Sequence, residues 1–272
     1  MSNTSYNFKE IIDLFDEEYN KNTFILPVPI VNLENNKFVI PKFINKLWID
    51  VGTSINCPNG TQFLKRNFDG FVFGIEPNPQ MYFTIPSMYY LRQNKWLIDN
   101  KHPSAIQEKN KRIQKQKRQI FNDTEEVIEK EDFKKRFIFL PCAIDEQVGF
   151  NNLYNNIHEG SSSLNSKWKG CDVNDKIPVF TITLSDILSK IPERFQYIDH
   201  LKVDCESLDL IVVKSAGKYL QKIVVVTVED NNVSSYLLEN NFQFLERQNG
   251  GISYINKKFL DLKDKIDYFI RV

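Results

Sequence analysis

At 272 residues, 42% hydrophobic and 26% charged, the chain has the length and composition of one folded globular unit, with or without insertions. Its 35 basic and 35 acidic residues give a formal net charge of +0, which removes a global electrostatic case for a nucleic-acid or membrane-surface partner. Cys57, Cys142, Cys171 and Cys205 form no CxxC pair, which argues against a disulfide framework or zinc ribbon.

The N-terminal stretch MSNTSYNFKEIIDLFDEEYN is polar and acidic, unlike a secretory signal, and no apolar run approaches the roughly 20 residues of a spanning helix. The expectation is a soluble, cytoplasmic protein with no membrane partner. Phe8, Ile11, Ile12, Phe15 and Tyr19 recur at helical spacing and predict an amphipathic helix over 7–19. Pro27, Pro29 and Pro41 break up 23–45, which reads as the lead-in to the first sheet strand.

LWIDVGTSINCPNG, residues 47–60, is an apolar run ending in Asp50, with a turn at Gly52. FVFGIEPNP, residues 71–79, repeats the pattern of strand, acid and turn, its acid being Glu76. A strand–turn–helix–strand unit closing on an acid is the nucleotide half of a doubly wound sheet. A carboxylate there can accept both hydroxyl protons of a ribose. Gly52, lacking a Cβ, lets backbone approach a ligand closely. It stands alone until Gly60, so neither a dinucleotide fingerprint nor a P-loop is present. The pattern fits a ligand with a ribose and no phosphates, such as S-adenosylmethionine.

Residues 86–135 read as a charged insertion. QEKNKRIQKQKRQIF (107–121) is basic and DTEEVIEKED behind it acidic, either a solvated pair of helices or a local patch for an anionic substrate or RNA. RFIFLPCAID (136–145) resumes the sheet, and VGFNNLY is hairpin-like. NNIHEGSSSLNS (155–166) is a polar loop, either a plain connection or a pocket wall in which Ser162 and Ser163 lie beside His158, a possible base. PVFTITLSDILSKI (178–191) predicts a strand and a helix capped by Ser185.

In YIDHLKVDCES (197–207) a buried strand carries Lys202, Asp204 and Glu206 with period two, which would point all three to one side. They form either a paired charge cluster or a set of carboxylates delivered to the carboxyl edge of a parallel sheet. A helix follows to about Ala216, with Gly217 placed to end it. QKIVVVTVED (221–230) is another buried strand, ending in Glu229 and Asp230, and FQFLERQNGGISYINK predicts a hairpin turning at Asn249-Gly250. Together these predict a Rossmann-like α/β fold: a seven-stranded, mostly parallel sheet with helices on both faces and a C-terminal antiparallel hairpin.

The succession WIDVGTS, FGIEPNP, PCAID, GSSSL, TLSDIL, HLKVDCESLDLIVVKSA and VVVTVED resembles the FkbM family of S-adenosylmethionine-dependent methyltransferases, within the class I superfamily, over roughly residues 46–230. The resemblance implies a lead-in segment over 1–45 and a methyltransferase domain over 46–272. The implied activity is O-methyl transfer to a hydroxyl of a glycan or small molecule. Carried over by position, Asp50, Gly52, Thr53 and Ser54 would form the first cofactor turn. Glu76 would hold the ribose, with Pro77 and Asn78 shaping its turn, and Cys142, Ala143 and Ile144 would flank the adenine. The family's Gly-Ala-Asn-x-Gly is here Gly52-Thr53-Ser54-Ile55-Asn56, without the second glycine. Asp204 is the expected general base, with Lys202, Glu206 and His158 as further catalytic candidates and Ser162, Ser163 and Glu229 on the substrate side. Glu206 with Glu229 or Asp230 is the alternative as a divalent-cation site. The rival functions are an RNA cap-ribose methyltransferase and a non-catalytic binding module on the same fold.

Overall fold

A computed structural model describes residues 33–53, 57–78, 135–156, 161–248 and 250–266. The helix predicted over 7–19, the basic run at 107–121, Ser54, His158 and Asn249 lie outside the described residues. Elements are numbered in chain order among the described residues.

The centre of the molecule is built from the runs richest in β-branched and aromatic residues. β1 (Leu33–Glu34) and β2 (Lys37–Phe38) form a short antiparallel pair ahead of it. β3 (Lys46–Val51), helix α1 (Pro58–Arg66) and β4 (Gly70–Ile75) follow as one unit of parallel strands joined by a helix. β5 (Phe137–Leu140) extends the sheet beyond β4. β6 (Ala143–Ile144), β7 (Gly149–Asn156) and β8 (Cys171–Ile182) leave it and form a separate three-stranded sheet. Helix α2 (Leu184–Ser189), β9 (Ile198–Val203), helix α3 (Asp209–Ser215) and β10 (Ile223–Val228) return to the main sheet. Helix α4 (Ser234–Glu239), β11 (Phe242–Gln248) and β12 (Gly251–Asn256) close it, β12 running antiparallel to both β10 and β11. The seven-stranded order is β11-β12-β10-β9-β3-β4-β5, mixed but mostly parallel.

Alternate residues of the central strands enter different clusters, as the two-residue period of a strand requires. Leu47, Ile49, Val51, Leu201 and Val203 join the large cluster that includes Leu184 and Ile187 of α2 and Val212 and Val213 of α3. Trp48 and Val72 instead pack with Phe63 and Leu64 of α1. Arg136 donates to the carbonyls of Leu64 and Asn67, placing a cation at the C-terminus of α1, where the helix dipole favours one.

β9 is fully buried yet holds Asp199, His200 and Lys202, each in different surroundings, with His200 Nδ1 left without a hydrogen-bond partner among the described residues. Asp199 accepts from the backbone N–H of Leu47 at 2.8 Å. His200 Nε2 lies 2.8 Å from Thr227 Oγ1, which lies 2.8 Å from Ser253 Oγ, so a polar chain runs across three strands. Burial, with Lys202 adding to it, lowers His200 to about 3 and keeps its ring neutral. Lys202 belongs to the site.

Two local expectations are corrected, and a third is extended. The cap of α2 is Thr183 and not Ser185: the Thr183 side chain accepts from the Asp186 N–H while Asp186 accepts from the Thr183 N–H. That reciprocal pairing satisfies two end donors at once, and Ser185 lies inside the helix. β9 ends at Val203, and Glu206 has φ 48, so the period-two extrapolation to Glu206 fails at the turn. Gly217, with φ +53, ends α3 but opens a 3-10 turn over Gly217–Lys222.

Replacing Thr183 by Ala leaves the Asp186 N–H without its cap and should cost about 1 kcal/mol of stability in urea unfolding, within the range of cap deletions. An unchanged midpoint would show that the box is not stabilising.

Candidate functional site

In this sheet the chain first moves outward from β3 to β4 and later crosses to β9 on the other side. The carboxyl ends of β3 and β9 are therefore the topological switch point, where open α/β sheets bind ligands. A cavity of ≈ 270 Å³ opens there. Its floor is Val51 and Gly52 after β3, Ile75 and Glu76 after β4, Asp204 after β9 and Glu229 after β10. Cys142, Ala143 and Ile144 form one wall, and Leu153 with Ser161–Leu164 forms another.

The floor is held by Lys202. The parallel register sets Asp50 opposite Lys202. Lys202 Nζ lies 3.2 Å from Asp50 Oδ1 and 3.2 Å from Asp204 Oδ2, and donates to the Gly52 carbonyl at 2.8 Å. Burial works to lower the Lys202 pKa, but the Asp50 and Asp204 carboxylates outweigh it and raise it, so the ammonium is retained. The Cys57 thiol donates to Asp50 Oδ2 at 3.4 Å. Asp50 is fully buried behind the turn and is not among the cavity-lining residues. Lys202 pairs with Asp50 and Asp204 and not with Glu206, so the paired-cluster reading applies to it.

Gly52 has a more local task than the sequence suggested. Its φ is +74, and an added Cβ would come within 1.8 Å of the Asp204 carbonyl oxygen. The close approach that demands glycine is therefore strand to strand, with ligand contact left to the backbone that lines the cavity. Asp204 N–H donates to the Val51 carbonyl at 3.0 Å, completing the junction. Thr53 is buried and does not line the cavity.

Glu76, Pro77 and Asn78 line the cavity in succession. Asn78 N–H donates to Glu76 Oε1 at 2.9 Å, and Asn78 Nδ2 donates to Ser162 Oγ at 3.1 Å. Ser163 Oγ donates to the Glu206 carbonyl at 2.9 Å, and Asn165 Nδ2 donates to Ser207 Oγ at 3.1 Å. Glu206 and Ser207 both adopt positive φ, a conformation non-glycine residues rarely hold without such ties. The Ser/Gly loop is thus fastened to both acid-bearing turns.

Sequence reasoning missed Asp209. Its buried carboxylate accepts from the N–H groups of Cys205 at 2.9 Å, Glu229 at 2.8 Å and Asp230 at 3.2 Å. It joins the turns after β9 and β10. The available signal was an acid one residue into the apolar run LDLIVV, which a wholly apolar helix face would not carry.

Glu76, Asp204, Glu206 and Glu229 all line the cavity, and its described lining contains no Lys, Arg or His. Burial raises Glu206. Burial, and then the neighbouring Asp204, push Glu229 up to about 7. Among the described residues no group of three or more His, Cys, Asp or Glu side chains is arranged to hold a metal ion. No helix among them is long and apolar enough to cross a membrane.

No family model and no curated protein matches the chain. Among solved structures it is similar to the methyltransferase FkbM from Methylobacillus flagellatus KT, with 15% identity and a TM-score of 0.44. The match covers 78% of this chain and 44% of that one, so the chain spans less than half of that protein's length.

Two outcomes test the site's construction. Lys202→Met strands Asp50 as a buried unpaired charge and should cost about 3–5 kcal/mol in urea unfolding, while Lys202→Met with Asp50→Leu should recover part of that loss. Equal stability of the two variants would show that the ion pair does not hold the floor. Glu229 has a raised folded-state pKa, so its contribution to stability is complete below the ordinary carboxylate range and is lost as pH climbs through about 7. Glu229→Gln should flatten that limb of the stability-pH curve.

Proposed function

We propose that the chain is an S-adenosylmethionine-dependent O-methyltransferase that transfers a methyl group to a hydroxyl of a sugar, a glycan or another small molecule. One observation carries the reading: a switch-point cavity that has Glu76 at the end of its second strand and carboxylates but no cation in its described lining. A carboxylate there suits a ribose diol. An acidic lining favours a ligand bearing positive charge and disfavours phosphates. S-adenosylmethionine combines a ribose with a cationic sulfonium and has no phosphate.

The residues fit that cofactor. Glu76 would take the ribose hydroxyls, the Gly52 turn would run beneath the ligand, and Cys142, Ala143 and Ile144 with Leu153 and Leu164 would form the apolar slot for the adenine. When bound, the cofactor supplies the electrophilic methyl carbon. The chain itself would orient the acceptor hydroxyl toward it and receive the hydroxyl proton. The same acidic lining speaks against the RNA cap-ribose alternative, because a phosphate chain would have to approach several carboxylates with no described cation in the lining to meet it.

Calorimetry of the full chain with S-adenosylmethionine should register binding, weakened at least about tenfold (~1.4 kcal/mol) by Glu76→Ala. No heat of binding from the unsubstituted chain would overturn the proposal. Transfer of labelled methyl to neutral glycosides, nucleotide sugars and short capped RNAs, compared side by side, then identifies the acceptor. Binding without transfer to any hydroxyl compound would favour the non-catalytic module.

A further inference from the structure

The cavity's carboxylates have different surroundings, and the difference assigns them different work. Asp204 is tethered: its Oδ2 lies 3.2 Å from Lys202 Nζ, and its backbone N–H is bound by Val51. That carboxylate oxygen is committed to the ion pair that holds the cavity floor. Glu229 lines the cavity, and its backbone N–H donates to Asp209 Oδ2. The parallel register pairs Val203 with Val228, so Asp204 and Glu229 leave adjacent strands side by side.

We propose that Glu229, not Asp204, is the general base of this site, and that Asp204, fixed against Lys202, is the positioning residue beside it. The inference rests on the methyl-transfer reading. In the step it implies, the acceptor oxygen forms a bond to the methyl carbon as the carbon–sulfur bond breaks, and that electron pair stays on sulfur, leaving a neutral thioether. The hydroxyl proton passes to a Glu229 carboxylate oxygen. From there it is released to solvent.

The surrounding charges support this division. Beside the pair lie Glu206 on the same turn as Asp204, Asp209 on α3, Lys202 on β9 with Asp50 behind it on β3, and Asp230, which follows Glu229 in the chain. Lys202, the single cation of that set, lies against Asp50 and Asp204. Burial first, then Asp204 and Glu206, place Glu229 at about 7, where a general base is both available at neutral pH and strong enough to take a proton.

The test uses the full chain with carbon-13-labelled carboxyl groups, followed by NMR across pH, for the unsubstituted protein, Glu229→Gln and Asp204→Asn. Glu229 is expected to titrate near neutrality and to move to lower pH in Asp204→Asn. A Glu229 that titrates in the ordinary carboxylate range, or is indifferent to Asp204→Asn, overturns the proposal without any activity being measured. With the acceptor identified by the labelled-methyl comparison, Glu229→Gln should lower kcat about 100-fold or more, abolish the acid limb of the pH profile and keep cofactor affinity within about threefold. Asp204→Asn should shift that limb to lower pH. Retained turnover in Glu229→Gln, with loss of the limb in Asp204→Asn instead, would return the role to Asp204. Failure of the unsubstituted chain to bind S-adenosylmethionine removes the methyl-transfer reading and this proton step together, whereas binding with unaltered turnover in Glu229→Gln removes this assignment alone.

Discussion

One buried ammonium organises the carboxyl edge of the sheet. Lys202 Nζ holds Asp50 of β3, Asp204 of the turn after β9 and the carbonyl of Gly52 at once. Desolvating a lysine is expensive, and the expense is offset only because two carboxylates and a carbonyl converge on it. That convergence draws the ends of β3 and β9 so close that only glycine fits at position 52. The floor of the cavity follows from the same contact, and so does the fixed position of Asp204.

A second carboxylate works through the backbone. Asp209 gathers the N–H groups of Cys205, Glu229 and Asp230, tying the turn after β9 to the turn after β10. The Ser/Gly loop is then pinned across the opening by Ser162, Ser163 and Asn165. Several acids sharing a small volume would repel one another if all were ionised and free. Here Asp50 and Asp204 share Lys202, Asp209 receives backbone donors, and Glu206 and Glu229 are shifted upward with burial as the largest cause. Environments that push neighbouring carboxylates apart in acidity are the usual means by which one site holds both fixed charge and a proton acceptor.

Much of this was legible in one dimension. Apolar runs ending in Asp50, Glu76, Asp204 and Glu229 marked strands whose carboxyl ends carry acids, and the structure sets Glu76, Asp204 and Glu229 around one cavity. Asp50 carries the same signature yet faces the protein interior, because a run's last residue points to one face or the other according to register with its neighbours. Glu206 appeared to continue the alternation of β9, but alternation lasts only as long as the strand does. His200 attracted no notice, since its partner Thr227 and the next residue in that chain, Ser253, are distant in sequence.

By itself the sequence determined the alternation of strands and helices, because hydrophobic period and turn residues are local properties of the chain. It also determined the position of the acids relative to strand ends, because those acids follow directly on the apolar runs. Tertiary structure alone decided which of them are paired with Lys202, which are bound by backbone donors and which face the cavity. Those distinctions depend on strand order and register, and in this sheet β3 and β9, about 150 residues apart in the chain, are neighbours. Charge pairing at a 3.2 Å separation is set by that adjacency, and no spacing within either segment encodes it.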